Sequence, residues 1–218
     1  MIKPIKYSEK FMEKFGTVVL QRKREWSFVE TVWYMIDWRN RKLKNLQSWA
    51  NANKNTLNND EVIVKFINSL NVYGKKNHRK AISILRFVHK HLKYERDSKV
   101  WSCGEMWQTP LTTWTLKTGD CEDGAILINE LMRMAGIPDY QREIRVGDVV
   151  GGGHAYFVYT SELDGLEYEL DWCYWFDSAP LTSRQPLYLK TNYLKLWFGF
   201  NEVFSYKKIK NPNKVIYS

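Results

Sequence analysis

Thr118-Gly119-Asp120-Cys121-Glu122-Asp123-Gly124 runs straight into the stretch Ala125 to Ala135, and the fold reads outward from here. Ala125, Ile128, Leu131, Met132 and Ala135 recur at spacings of three and four, which is one apolar face of a buried helix. Asp120 is a good N-cap residue, and Asp123 lies where negative charge complements the helix dipole. Gly136 and Pro138 supply the stop. Cys121 therefore falls in the first turn, where unpaired N–H groups and the positive dipole end favour a thiolate. Free Cys is most often a small buried hydrophobe, so a nucleophile's role here requires a base and an orienting group elsewhere in the chain.

Both are present by type. Gly151-Gly152-Gly153-His154-Ala155-Tyr156 places a His at the start of a strand, and Glu169-Leu170-Asp171-Trp172 places an Asp in the next one. Cys, His and Asp on helix, strand and strand form a nucleophile–base–orienter set. Asp164 and Asp177 are the fallback orienters, but they read as turn residues.

The order and the surrounding residues resemble the transglutaminase-like superfamily of papain-like thiol enzymes. The nearest likeness is to the bacterial transglutaminase-like cysteine proteinases, whose motif around the nucleophile also reads Gly-Asp-Cys-Glu-Asp. The resemblance runs from about Ala81 to Phe204 and includes Trp107-Gln108-Thr109-Pro110 and Gly153-His154-Ala155. It implies Cys121 as nucleophile, His154 as general base and acid, and Asp171 as the orienting partner. It also implies an α+β fold with a papain/transglutaminase-like core, the nucleophile's helix packed on an antiparallel sheet that carries the His and the Asp. The function implied is a cysteine-dependent amide hydrolase, a peptidase or amidase acting on a protein or peptide through an acyl-enzyme. The alternatives are transglutaminase-type transfer to an amine, or an inactive binding or structural module on the same fold. The proteinase likeness, and the lack of large accessory β-domains, favour hydrolysis.

Asp120, Glu122 and Asp123 are awkward neighbours for a thiolate, since like charge raises a thiol's pKa. Some of the resembled proteinases bind calcium through the carboxylates beside the Cys, and Asp120 and Glu122 hold those places. Two carboxylates fall short of the six to eight oxygens calcium takes. Calcium is thus a candidate ligand, not a required cofactor. A developing oxyanion needs a donor besides the Cys121 backbone N–H; Trp107 and Gln108 are the candidates, unless Trp107 only walls the cleft.

The chain of 218 residues, 44% hydrophobic with 10 Trp and 13 Tyr, suits one well-buried domain plus an extension. Three cysteines (103, 121 and 173) without a Cys-x-x-Cys pair argue against a disulfide framework or structural zinc. They suit the cytoplasm, including that of a virus-infected cell. No apolar leader and no membrane span are visible. Residues 1–100 hold 22 Lys and Arg against 9 Asp and Glu, whereas residues 101–218 hold 11 against 15. The basic half invites an anionic partner, either nucleic acid or an assembly surface such as a phage particle, unless it is simply a solvated face.

Two units are expected: a helical basic N-terminal extension over 1–58 and the transglutaminase-like catalytic domain over 59–218. The extension would contain a short helix from Ser8 to Phe15 and a long one from Glu25 to Trp49. Beyond the polar turn Asn51 to Asn59, helices are expected from Asp60, with Val62, Ile63, Phe66, Ile67 and Leu70 inward, and over Ala81 to Tyr94. His78, His89 and His91 read as surface or packing residues. Val100 to Lys117 reads as irregular. Strands are expected at Gln141 to Val150, His154 to Tyr159, Leu166 to Tyr174, Leu187 to Leu189, Lys195 to Phe200 and Val203 to Lys207. A two-residue Asp164-Gly165 turn would separate His154 from Asp171 by four residues along the strands. A four-residue loop, Ser161 to Asp164, sets them directly opposite, and this register is the expected one.

Overall fold

The computed structural model describes residues 18–21, 57–72, 74, 76–102, 105–202 and 205–208. The expected helices at 8–15 and 25–49 lie outside the described residues. Helix α1 spans Glu61–Val72 and α2 spans Asn77–His91. After the short strand β2 (Lys93–Tyr94) come α3 (Asp97–Val100), α4 (Pro110–Leu116) and β3 (Thr118–Gly119). Helix α5 is Cys121–Met134. Strands β4 (Arg142–Val149), β5 (Gly152–Thr160), β6 (Glu167–Leu170), β7 (Tyr193–Phe200) and β8 (Ser205–Lys208) follow. With β1 (Val18–Gln21) they form an antiparallel sheet in the order β1-β8-β7-β4-β5-β6. The expected α+β core is therefore the observed one. Within the stretch expected to be a helical extension, β1 pairs with the sheet's β8 edge. Among the described residues, no helix is long and apolar enough to cross a membrane.

Helix α5 lies between the sheet and the other helices, touching β4 and β5 on one side and α2 and α4 on the other. It is buried nearly all round: Ile126 and Leu127 join Ala125, Ile128, Leu131 and Met132 in the core. A helix buried on every side must also bury its polar residues in partnerships. Asn129 donates to Glu202 at 3.0 Å, and Glu202 is in turn paired with Arg142. Likewise Arg145 on β4 bridges Glu143 and Glu167 at 2.7 and 2.8 Å. These ion pairs let a strand rich in charge sit inside the sheet.

Several expectations need correction. The segment before Cys121 is irregular only in part: residues 105–109 form no regular element, but α4 follows, with Thr109 capping the Thr112 N–H at 3.2 Å and Pro110 at the first helical position. Leu187–Leu189 is a single 3-10 turn, not a strand, because Pro186 fixes the entering backbone and removes a ladder donor. Val62 faces solvent while Ile63, Ile67 and Leu70 face the core. The second helix begins at Asn77 and ends at His91, leaving Tyr94 in β2.

The hairpin register is also corrected. The loop has four residues, but they are Glu162 to Gly165, closed by the Ser161 N–H on Leu166 O at 2.9 Å. Phe157 pairs with Leu170 and Thr160 with Glu167, so Asp171 would stand across from Tyr156 if the ladder ran one residue further. His154 and Asp171 are diagonal neighbours. The physical cause is local: Asp164 accepts the Leu166 N–H at 3.0 Å, pulling the loop one residue downstream.

This loop is tied to α2. The His78 backbone N–H and Nδ1 both reach Glu162 Oε1, at 3.0 and 2.8 Å, and the Tyr159 hydroxyl donates to Oε2. Burial works against the charge, but these donors prevail and hold the Glu162 carboxyl down to about 2. Since this lies below the ordinary 4.5, the carboxylate's stabilisation is complete above that pH and is lost as pH falls through about 2. Glu162→Gln is expected to cost about 1 kcal/mol at neutral pH, with the gap to the parent in urea unfolding closing in acid.

Candidate active site

Cys121 opens α5, so its own N–H has no partner within the helix. The first turn is fixed from several directions. The Asp123 carboxylate accepts the Asp120 N–H at 3.1 Å while Asp120 caps the Asp123 N–H in return. The Trp172 indole N–H donates to Cys121 O at 3.2 Å, and its ring lies so close to Gly124 that an added Cβ would sit 2.2 Å from it. Gly124 is therefore required for close approach. Trp172 directly follows Asp171 and links the Cys121 helix to the chain bearing that carboxylate. The Trp172 carbonyl accepts from His89 Nδ1 at 2.8 Å, and the His89 ring stacks on Phe176 at 3.5 Å, tying the following loop to α2.

His154 and Asp171 are both buried, and His154 Nε2 lies 2.7 Å from Asp171 Oδ2. Burial alone would raise the Asp171 carboxyl. The His154 bond and charge, with the Cys173 and Tyr174 N–H groups, hold it below its ordinary value. An ionised carboxylate only accepts, so Nε2 carries a proton, and in the neutral ring Nδ1 is the bare nitrogen. That nitrogen is buried and has no hydrogen-bond partner. It is the atom able to take a proton from a thiol. The Tyr174 ring lies flat on the imidazole, 4.2 Å between centroids and 5° from parallel, which limits tilting.

Cys121 and His154 line one cleft of about 240 Å³ with Tyr94, Trp107, Tyr174 and Trp197 as aromatic walls. Trp197 packs so near Gly153 that a Cβ there would meet its ring at 2.9 Å. The Cys121 Sγ–H points to Glu122 Oε2 at 3.1 Å. Burial, then the charges of Glu122 and Asp120, push this thiol well above its ordinary pKa, while the Ala155 backbone N–H pulls the other way. The helix dipole alone therefore does not yield a thiolate.

The remaining sequence candidates divide. Trp107 lines the cleft, but its indole N–H is donated to Glu105 at 2.9 Å. The Gln108 backbone and amide N–H groups are both spent on Asp123 at 2.7 Å. The Trp107 N–H is thus engaged, and Gln108 is buried away from the cleft lining with its amide anchored on Asp123. Asp164 and Asp177 accept backbone N–H groups in turns. Asp120 and Glu122 do not stand alone: Asp97 and Glu105 join them along the cleft. Carboxylate oxygens of Asp97, Glu105 and Glu122 gather within 4.8 Å, as do those of Asp97, Asp120 and Asp123. Burial, then the Asp120 charge, raises Asp97 to about 7 despite a bond from the Met106 N–H. Oδ1 of Asp97, Oδ1 of Asp120 and Oε1 of Glu122 are buried without partners. Such orphaned acceptors fit a hard cation that takes oxygen ligands. Asp97 and Glu105 carry no sequence signal, since no spacing pattern links them to Cys121.

The sequence matches the model of the transglutaminase-like domain over residues 61–173, more than half of the chain. The chain belongs to the transglutaminase-like family. The matched segment runs from α1 through Cys173 and so contains Cys121, His154 and Asp171. Among solved structures, the fold is similar to that of Legionella pneumophila LapG at 19% identity and a TM-score of 0.51, covering 82% of this chain and 86% of that one. LapG treated with EGTA matches equally, at 19% identity, TM-score 0.51 and coverage of 82% and 84%. Calcium-bound LapG matches at 20% identity and TM-score 0.51, over 79% of this chain and 83% of that one. No curated protein matches the sequence.

Proposed function

We propose that this protein is a cysteine-dependent amide hydrolase, a peptidase or amidase, that works through Cys121, His154 and Asp171. Family membership and fold support a cysteine peptidase-type activity in general. One observation carries the finer reading: Asp171 holds the Nε2 proton of His154 and leaves a buried, unpartnered Nδ1 in the cleft shared with Cys121.

The thiol proton passes to His154 Nδ1, and the sulfur attacks the substrate carbonyl. Negative charge develops on the carbonyl oxygen beside the Cys121 backbone N–H at the helix start. Collapse breaks the C–N bond, His154 protonates the departing amine, and an acyl group remains on Sγ. Water, deprotonated by His154, then releases the acid and restores the thiol. Presenting mixed peptides, with and without a primary amine, tests the scheme. Intact-mass analysis is expected to show an acyl adduct on Cys121, with hydrolysed peptide as product. Amine-coupled product instead would assign transglutaminase-type transfer, and no adduct or product under any condition would remove the enzyme reading.

Calcium belongs to the same proposal, with Asp97, Glu105, Asp120 and Glu122 as its holders. Bound there, the ion would supply positive charge that offsets carboxylate repulsion on the Cys121 sulfur. Titrating calcium into chelator-treated protein is expected to give saturable heat in calorimetry and a higher Tm. At a hundredfold excess over Kd the gain is about 2.7 kcal/mol. Asp120→Asn should weaken both effects, and an unchanged Tm with no heat would rule calcium out.

A further inference from the structure

Asp171 accepts more bonds than the orientation of one imidazole requires. Its Oδ1 takes the backbone N–H groups of Cys173 at 3.0 Å and Tyr174 at 3.1 Å. Those two come from the turn that Asp171 itself begins, as an Asp at a turn commonly arranges. Oδ2 takes His154 Nε2 at 2.7 Å and, in addition, the Tyr193 hydroxyl at 3.2 Å. Tyr193 arrives from β7, 22 residues further along the chain.

The Tyr193 ring is 1% exposed and lies against Tyr156 at 4.5 Å and Trp175 at 5.3 Å between centroids. Packing alone would be met by Phe, which fills the same volume without a polar atom to bury. The hydroxyl thus needs a reason, and its bond to Asp171 is the one the structure provides. Burial and the nearby Asp171 and Glu169 charges push the phenol's pKa upward, so it stays a neutral donor.

We propose that Tyr193 is a positioning residue: its hydroxyl pins Asp171 Oδ2 so that the carboxylate holds the His154 Nε2 proton and leaves Nδ1 free for the Cys121 thiol. A second donor on Oδ2 fixes the carboxylate plane and keeps the shared proton on the ring. The inference rests on the Cys121–His154–Asp171 reading. Tyr193 assists that set through Asp171 and touches no reacting atom.

The test compares Tyr193→Phe with Tyr168→Phe, whose lost hydroxyl bonds Asp164 at 2.7 Å in the β5–β6 loop. Two quantities are read: the Nε2–H resonance of His154 in ¹⁵N-histidine-labelled protein, and the iodoacetamide rate at Cys121. Tyr193→Phe is expected to move the resonance and slow Cys121 roughly tenfold, the worth of one hydrogen bond to a charged group. Tyr168→Phe should leave both at the parent's values. Parental values in Tyr193→Phe, or equal changes in both variants, would overturn the proposal. If Tyr193→Phe does not fold, 3-fluorotyrosine at position 193 supplies a more acidic donor of nearly the same size. It should move the resonance opposite to deletion of the bond, and no movement would again overturn the proposal. Parent Cys121 reacting no faster than Cys173 is a separate outcome: it removes the nucleophile reading, while the resonance still reports the Tyr193–Asp171 bond.

Discussion

Cys121→Ala is expected to fold as the parent does and to show no turnover. Loss of a nucleophile in a thiol or serine mechanism costs roughly 10⁶-fold in rate, because no other group can form the acyl-enzyme. The fold should survive, since what fixes the first turn of α5 is backbone and carboxylate: the Asp120–Asp123 cap and the Trp172 indole on Cys121 O. None of these uses the sulfur. Circular dichroism and thermal unfolding check the fold, and the peptide assay checks the rate. Parental activity in Cys121→Ala would remove Cys121 from the chemistry.

Asp171→Asn is expected to lower the rate by about 10⁴-fold, the cost seen when an orienting carboxylate in a triad becomes an amide. The geometry explains how. The amide oxygen can keep the Cys173 and Tyr174 N–H bonds that Oδ1 now accepts. The –NH₂ then replaces Oδ2 and faces His154 Nε2, which must become the acceptor. The ring proton moves to Nδ1, the nitrogen that has to be bare to accept a proton from the thiol. The imidazole keeps its place against Tyr174 but presents the wrong tautomer. Stability should fall far less than rate, and the histidine ¹⁵N shifts should show the exchanged tautomer.

The parts legible from sequence are those specified within a few residues. Helix α5 carries its own period, its cap at Asp120 and its stop at Gly136 and Pro138, so its placement needed no tertiary information. Thr109-Pro110 was an equally local signal for α4, but the aromatic residues around it hid the cap. The hairpin shows where local reading ends. Two registers differed in loop length, two residues or four, and Asp164 with Ser161 sets a third. His154 still reaches Asp171, because the chain leaves the sheet at Asp171 as its Oδ1 caps the next turn. The cation-suited cluster and Tyr193 were invisible for a related reason. Asp97, Glu105 and Tyr193 meet the site through folding of distant segments, and their types alone are unremarked in a chain with 24 acidic residues and 13 tyrosines.

The proposed mechanism must reconcile a carboxylate-ringed cysteine with thiol chemistry. In the described arrangement the thiol is held by Glu122 and its charge is opposed by Glu122 and Asp120. In the proposed mechanism His154 is the base, and its Nδ1 is unpartnered. On the proposed reading, activation would depend on what engages the carboxylates, so cation binding and Cys121 reactivity would be two views of one equilibrium.

The most direct measurement is the iodoacetamide rate of each cysteine, followed by mass spectrometry with calcium present, in the parent and in His154→Ala. Cys121 should label well ahead of Cys173 and Cys103 below pH ~8.5, the free-thiol value, and lose that lead in His154→Ala. Equal labelling of the three cysteines in the parent, or an undiminished lead in His154→Ala, would contradict a Cys121–His154–Asp171 nucleophile.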